Sequence, residues 1–372
     1  WLRPVHSWAA AVVALLIIAS PIALLYQGIV WKDVLFADAT AGGFATLAWL
    51  PRVWNTPWRF VAMAKAMVLL CLAAMARQNG LLCLACGVIA LTWIASQHTQ
   101  LRTALIYGAA ALAFAAVFTT AANVALGTRI VAPSGPAKQF RLLQLYDIIG
   151  FVAADKTIAL TVLHDQAPDL EREVRSDGVR LYNPQRNDPL AGSQPLQSAL
   201  EDAPWSAVRG QWLSLIVHHP WTYVKIRAEV FRWIFATPDI DKCLPYLVGI
   251  SGPEPQMEKL GIEERDDDRD DALAAYASVF IKTPVLSHVF YALLSIGCLV
   301  LLLRRRRGED IAIAALQAGV LLFTLSFIVI GIACDYRYLY ALDIASLVGV
   351  FYIACDWSNL LPTQTRLSSR PQ

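Results

Sequence analysis

The chain has 372 residues, of which 57% are hydrophobic and only 16% charged, and its net charge is +2. A soluble domain carries about 25% charged residues, so this composition excludes an ordinary cytosolic enzyme, a disordered chain and a small disulfide-rich secreted domain. The mean hydropathy of +0.48 agrees, and the small net charge offers nothing to nucleic acid.

Residue 1 is Trp1 rather than Met, from which a preceding segment is expected. Long apolar runs then follow in series. A helix needs about 20 such residues to cross the hydrocarbon core. Eight candidate spans run over 8–26, 34–50, 58–76, 80–96, 103–126, 285–303, 311–332 and 338–355, with Pro21 interrupting the first. The expected fold is all-α: a polytopic transmembrane helical bundle with a mostly helical external segment. Residues 1–126 would carry five spans, 127–284 the external segment, 285–356 three spans, and 357–372 a cytoplasmic tail. Small residues from Ala37 to Gly43 let helices approach closely in lipid, which predicts a place for the second span inside the bundle.

Basic residues set the expected orientation. Arg304, Arg305, Arg306 and Arg307 follow the sixth span, and counting from them places Arg3, Arg52, Arg59, Arg102, Arg366 and Arg370 on the same, cytoplasmic side. Only Lys32, Arg77 and Arg337 fall at the opposite short connections, a tally of ten against three. The external segment then holds 17 Lys/Arg and 22 Asp/Glu, most of the charge in the protein. Within it, residues 221–235 read as an amphipathic helix, suited either to the membrane interface or to the segment's own core.

Ionisable residues at or within spans mark function by default, and here they gather at external ends. Lys32-Asp33 opens the second span, Arg77-Gln78-Asn79-Gly80 joins the third to the fourth, and Asp335-Tyr336-Arg337-Tyr338 leads into the eighth. Asp38 lies about 7 Å deeper than Asp33, at 1.5 Å per helical residue. Anchoring by snorkelling is the competing reading, and it suits Lys65, which lies in the cytoplasmic half of the third span away from the external motifs. Asp343 in the last span suits a buried hydrogen bond as well as it suits catalysis. Cys83 and Cys86 have CxxC spacing but lie in an apolar span, so they read as packing residues. Of the seven cysteines only Cys243 is clearly external, so no disulfide framework is expected. His218 and His219 are adjacent and share no helix face. The acidic run over 263–271 reads as a solvated loop rather than a cation site. No phosphate-cradling glycine motif points to a nucleotide-driven pump.

Three motifs taken in order, Trp31-Lys32-Asp33-Val34-Leu35-Phe36-Ala37, Arg77-Gln78-Asn79-Gly80-Leu81 and Asp335-Tyr336-Arg337-Tyr338-Leu339, carry a family resemblance. The chain resembles bacterial membrane proteins of the GT-C glycosyltransferase superfamily, the group that includes protein O-mannosyltransferases and the lipid A aminoarabinose transferase. The resemblance covers most of the chain in layout and these three short motifs in sequence. It implies a multi-pass enzyme of the bacterial inner membrane whose site faces the periplasm. Such an enzyme moves a hexosyl or pentosyl group from a polyprenyl-phosphate donor to a lipid, glycan or protein acceptor. The implied partners are that donor, that acceptor and membrane lipids, with no nucleic acid; no cofactor is implied and a divalent metal is not indicated.

In that family the principal catalytic Asp lies in the first external loop, which is expected upstream of Trp1. On this reading Arg77 and Arg337, with Lys32, would bind the donor phosphate, because guanidinium forks match phosphate oxygens. Asp33 and Asp335 are candidate bases or sugar-orienting groups, and Asn79 and Tyr336 would contact hydroxyls. Each Asp has a basic neighbour, Lys32 or Arg337, so either can instead serve as a counter-ion. Two alternatives stand beside this: a glycan polymerase or ligase using polyprenyl-linked substrates, and a non-enzymatic lipid-linked glycan flippase or other transporter. A transporter would be expected to show paired internal repeats, and the sequence contains none. A scaffold would leave the clustered Arg and Asp unexplained.

Overall fold

Proline at position 21 removes a backbone donor in the middle of the first predicted span, and the helix stops there. In the computed structural model, which describes residues 8–29, 31–127, 135–252, 254–265, 267–305 and 307–356, α1 covers Trp8–Ile18 and α2 covers Pro21–Tyr26. Ser20 caps the second piece: its hydroxyl accepts from the Ala23 amide at 3.3 Å and donates to the Ile17 carbonyl at 2.8 Å. Pro at the first helical position lacks only a donor that would have had no helical partner. The predicted span over 8–26 is therefore corrected to two short helices.

Four long helices follow: α3 (Lys32–Val53), α4 (Trp58–Ala76), α5 (Leu81–His98) and α6 (Leu101–Gly127). The middle of the chain forms α7 (Gly135–Ala154), several short helices from Thr161 to Asp202, α8 (Trp205–His218) and α9 (Pro220–Ala236). After these come α10 (Asp268–Ser278), α11 (His288–Arg305), α12 (Gly308–Ile330) and α13 (Tyr340–Cys355). The fold is all-α: among the described residues the only β feature is one bridge, Ile250 to Arg265. Seven helices, α3 to α6 and α11 to α13, are long and apolar enough to cross a membrane. The chain is thus built as a multi-pass membrane protein. Arg3, Arg306, Arg366, Arg370, Asp266 and Trp1 lie outside the described residues.

The chain divides into two compact units. One takes the described residues up to Phe118, Tyr246–Phe323 and those from Tyr340 on; the other takes Thr119–Pro245 and Thr324–Leu339.

In the first unit α3 packs along α4, α5 and α13. Its small residues make this possible. A Cβ on Gly43 of α3 would lie 2.8 Å from the Leu70 side chain, and one on Gly87 of α5 would lie 2.3 Å from it. Leu70 of α4 therefore wedges between two glycines, the close approach that small residues permit in lipid. Cys83 and Cys86 are buried free thiols packed in α5. Arginines at the end of α11 and just beyond it are held by carboxylates. Arg305 pairs with Asp310 at 3.2 Å and with Asp356, and Arg307 reaches Asp356 at 2.6 Å. The acidic run also differs from the expected loop. Asp267 caps α10 by accepting from the Arg269 and Asp270 amides, and Asp270 returns the bond to the Asp267 amide. Carboxylates are favoured at a helix N-terminus, which turns part of a repelling run into a helix start.

In the second unit α7 is the central helix. Tyr146, Ile148, Ile149, Phe151 and Val152 are buried on nearly all its sides, and α8 and α9 pack on it. Cys243 and Cys334 form a disulfide across a sequence separation of 91 residues, with a Cα–Cα distance of 5.1 Å. The expectation of no disulfide is corrected. Cys334 lies two residues beyond the span predicted over 311–332, in the connection that follows the end of α12 at Ile330, where it reaches Cys243.

Candidate functional site

Arg77 ends α4 in an extended conformation, and a single 3-10 turn over Gln78–Gly80 leads straight into α5. This tight connection requires glycine at its last position. A Cβ on Gly80 would lie 2.9 Å from both the Ala73 carbonyl oxygen and Cε2 of Phe36. The turn aims the Arg77 guanidinium at the first turn of α3, where its Nε donates to Asp33 Oδ1 and its terminal nitrogen pairs with the same oxygen. Asp33 is 3% exposed. Its carboxylate also sits at the N-terminal end of α3, where the helix dipole favours negative charge. The structure thus joins two of the residues singled out in the sequence, 44 positions apart. Lys32 beside them is exposed, and Asn79 is half-buried in the turn.

Asp335, Tyr336 and Arg337 belong to the other unit. Arg337 Nε lies 2.8 Å from Asp335 Oδ2, and its guanidinium stands over the Tyr338 ring at 5.9 Å. Tyr336 is fully buried. Three restraints fix this segment: the disulfide at Cys334, a 2.7 Å bond from the Cys334 amide to the Gln185 carbonyl, and α9 packed against the turn over Tyr336–Leu339.

Three further polar constellations come from residues that the motifs do not contain or treat only in passing. The first lies on α3. Gln27 Nε2 donates to Asp38 Oδ1 at 3.0 Å and to the Tyr340 hydroxyl at 3.1 Å, while Tyr340 stacks on Tyr26 at 4.7 Å. Asp38 and Gln27 are exposed, although Asp38 stands about 9 Å along α3 from its first residue at 1.5 Å per residue. Ionised carboxylates do not face hydrocarbon without cost, which makes Asp38 a candidate to meet water or a polar ligand.

The second constellation is a fully buried pair, His288 Nδ1 to Asp343 Oδ1 at 2.9 Å, between α11 and α13. This settles Asp343 as a buried hydrogen-bonding group. The third lies in the second unit. Arg227, 2% exposed, brings a terminal nitrogen 3.2 Å from Asp147 Oδ1 and donates to the Gly331 carbonyl at 2.7 Å; Trp212 Nε1 donates to Asp147 Oδ2 at 2.9 Å. Burial raises the Asp147 carboxyl to about 6, against the opposing pull of Arg227 and Trp212. The sequence signal for this pair is a lone Asp in the apolar run Leu145-Tyr146-Asp147-Ile148-Ile149.

Chemically, this part of the first unit offers the Arg77 guanidinium, fixed by the buried Asp33 carboxylate, and the exposed Asp38 carboxylate, held by the Gln27 amide that also donates to the Tyr340 hydroxyl. Among the described residues no group of three or more His, Cys, Asp or Glu could hold a metal ion. No protein-family model, curated protein or solved structure matches the chain.

Proposed function

We propose that this protein is a glycosyltransferase of the bacterial plasma membrane that transfers a sugar from a polyprenyl-phosphate donor to a hydroxyl of a lipid, glycan or protein acceptor at the periplasmic face. The observation that carries the reading is the Asp33–Arg77 pair, which presets a cation at the junction of α4 and α5 inside a multi-pass bundle. A departing polyprenyl phosphate develops negative charge, and a preset guanidinium stabilises it without reorganisation. In the transfer, the bond from the sugar's anomeric carbon to the phosphate oxygen breaks with its electrons going to phosphate. The acceptor oxygen forms the new bond and gives its proton to a carboxylate. Asp33 is engaged with Arg77, which favours the counter-ion role for it. The exposed Asp38, oriented by Gln27, is assigned to take the proton. Arg337, ordered by Asp335, is assigned to an anionic group of donor or acceptor.

The orientation rests on two supports: Lys and Arg are concentrated at one set of helix ends, and disulfides persist in oxidising compartments. The test is release of polyprenyl phosphate from labelled polyprenyl-phosphate sugars by membranes containing the protein. Arg77→Ala, Arg337→Ala and Asp38→Asn are expected to lose transfer by about a hundredfold or more per amount of folded protein in the membrane. Unchanged rates in Arg77→Ala and Arg337→Ala would overturn the reading. Transbilayer movement of the labelled lipid without cleavage would favour a flippase instead.

A further inference from the structure

The external segment is rich in carboxylates, yet the stretch from Trp205 to Ala228 contains none, while it carries Arg209, Lys225 and Arg227. This stretch is α8 and the first part of α9. Its buried side is well defined: Ala207, Val208, Gln211 and Leu215 of α8, then Ile226, Arg227 and Val230 of α9, pack into the second unit. The other side is apolar as well. Trp205, Leu213 and Val217 are 44%, 43% and 71% exposed, and with exposed Arg209 they recur every four residues, so they form one ridge of α8. In α9, Trp221 and Val224 are 78% and 54% exposed beside exposed Lys225. The amphipathic helix read from the sequence therefore does two things: its later turns serve the unit's core, and its first turn joins an outward apolar ridge.

We infer that the outward ridge of α8 and the first turn of α9 inserts into the interface of the bilayer that the protein spans, against anionic phospholipid headgroups. Exposed apolar surface of this kind marks an interaction site. Its composition selects the occupant. Two tryptophans, aliphatic side chains between them, and cations at positions 209 and 225 without a carboxylate match the aromatic and basic pattern of interfacial helices. Arg209 and Lys225 can lay their stems along the apolar ridge and raise their charged ends to phosphates. A bilayer is also the surface at hand, since the chain carries, among the described residues, seven helices long and apolar enough to cross one. This inference does not rest on the proposed enzymatic activity.

The test uses the full-length protein in nanodiscs, with a polarity-sensitive fluorophore on Val217→Cys, on Val224→Cys, or on Asp165→Cys as an exposed polar control. Quenching by phospholipids carrying a spin label near the headgroup is expected to be about twofold stronger or more at 217 and 224 than at 165, as for side chains about 5–10 Å into the interface. It is also expected to strengthen when a quarter or so of the lipid is phosphatidylglycerol and to weaken in Arg209→Glu/Lys225→Glu. Equal quenching at all three positions would overturn the inference. Labels shielded from aqueous iodide yet unquenched by spin-labelled lipid would overturn it too, and would assign the ridge to a protein partner or a second copy.

Discussion

A carboxyl group with no solvent around it titrates according to its neighbours, and Asp147 is such a group. Burial raises it to about 6 from the ordinary 3.8, with Arg227 and Trp212 pulling the other way. A raised carboxyl binds protons more readily in the folded than in the unfolded chain. Between about 4 and 6, therefore, the native state holds more protons, and stability from this group falls as pH rises through that window. Below it the stabilisation by protonation is complete; above it the cost of the buried anion is fully felt. The expected outcome is that the melting temperature of the detergent-solubilised protein, measured relative to that of Asp147→Asn, declines between about pH 4 and 6.5. Fluorescence of Trp212, whose indole donates to this carboxylate, should titrate with the same midpoint in the difference between wild type and Trp212→Phe. A melting profile with the same slope in both proteins would remove Asp147 as the cause.

At the scale of the element, the connection from α4 to α5 shows how a backbone feature places a functional side chain. Gly80 has ordinary helical dihedrals, so its role is space rather than backbone freedom. A methyl group there meets the backbone oxygen of Ala73 and the ring of Phe36 on opposite helices. Gly80→Ala should cost about 1–3 kcal/mol through overpacking and loosen Arg77 from Asp33. Because one of the two obstacles is backbone, adding Phe36→Leu should not restore the thermal stability of the solubilised protein; full recovery would place the conflict in the ring alone. Much at this scale was legible in the sequence, because apolar runs of span length permit few structures and Arg77-Gln78-Asn79-Gly80 is too short for anything but a sharp reversal. The break at Ser20-Pro21 was half legible: the proline was visible, but its capping serine turned an interruption into a new helix start. Pairs such as Asp147 with Arg227, or His288 with Asp343, were not legible. Their partners lie 80 and 55 positions apart, and nothing local in either sequence neighbourhood specifies the other.

For the whole molecule, the decisive relation is between the two ends of α12. Arg305 and Arg307 precede this helix and are tied by Asp310 and Asp356, while Cys334 follows it and is tied to Cys243. The helix has 23 residues, about 35 Å at 1.5 Å each, enough to cross a bilayer core of about 30 Å. On the proposed topology this helix is a single crossing between the arginine turn and the disulfide. Arginine clusters are retained in the cytoplasm, and disulfides form outside it. The two rules use unrelated chemistry, and both support the proposed direction of insertion. Two measurements follow from this. After denaturation without reductant, a maleimide mass tag should add to five cysteines, Cys71, Cys83, Cys86, Cys298 and Cys355, and after reduction to all seven. In intact cells, a membrane-impermeant maleimide should label Asp165→Cys and spare Arg59→Cys until the membrane is opened. Seven tags without reductant would refute the disulfide, and the reverse labelling order would refute the direction. Labelling at 165 together with five tags would fix the side on which Arg337, three residues beyond Cys334, must meet any ligand.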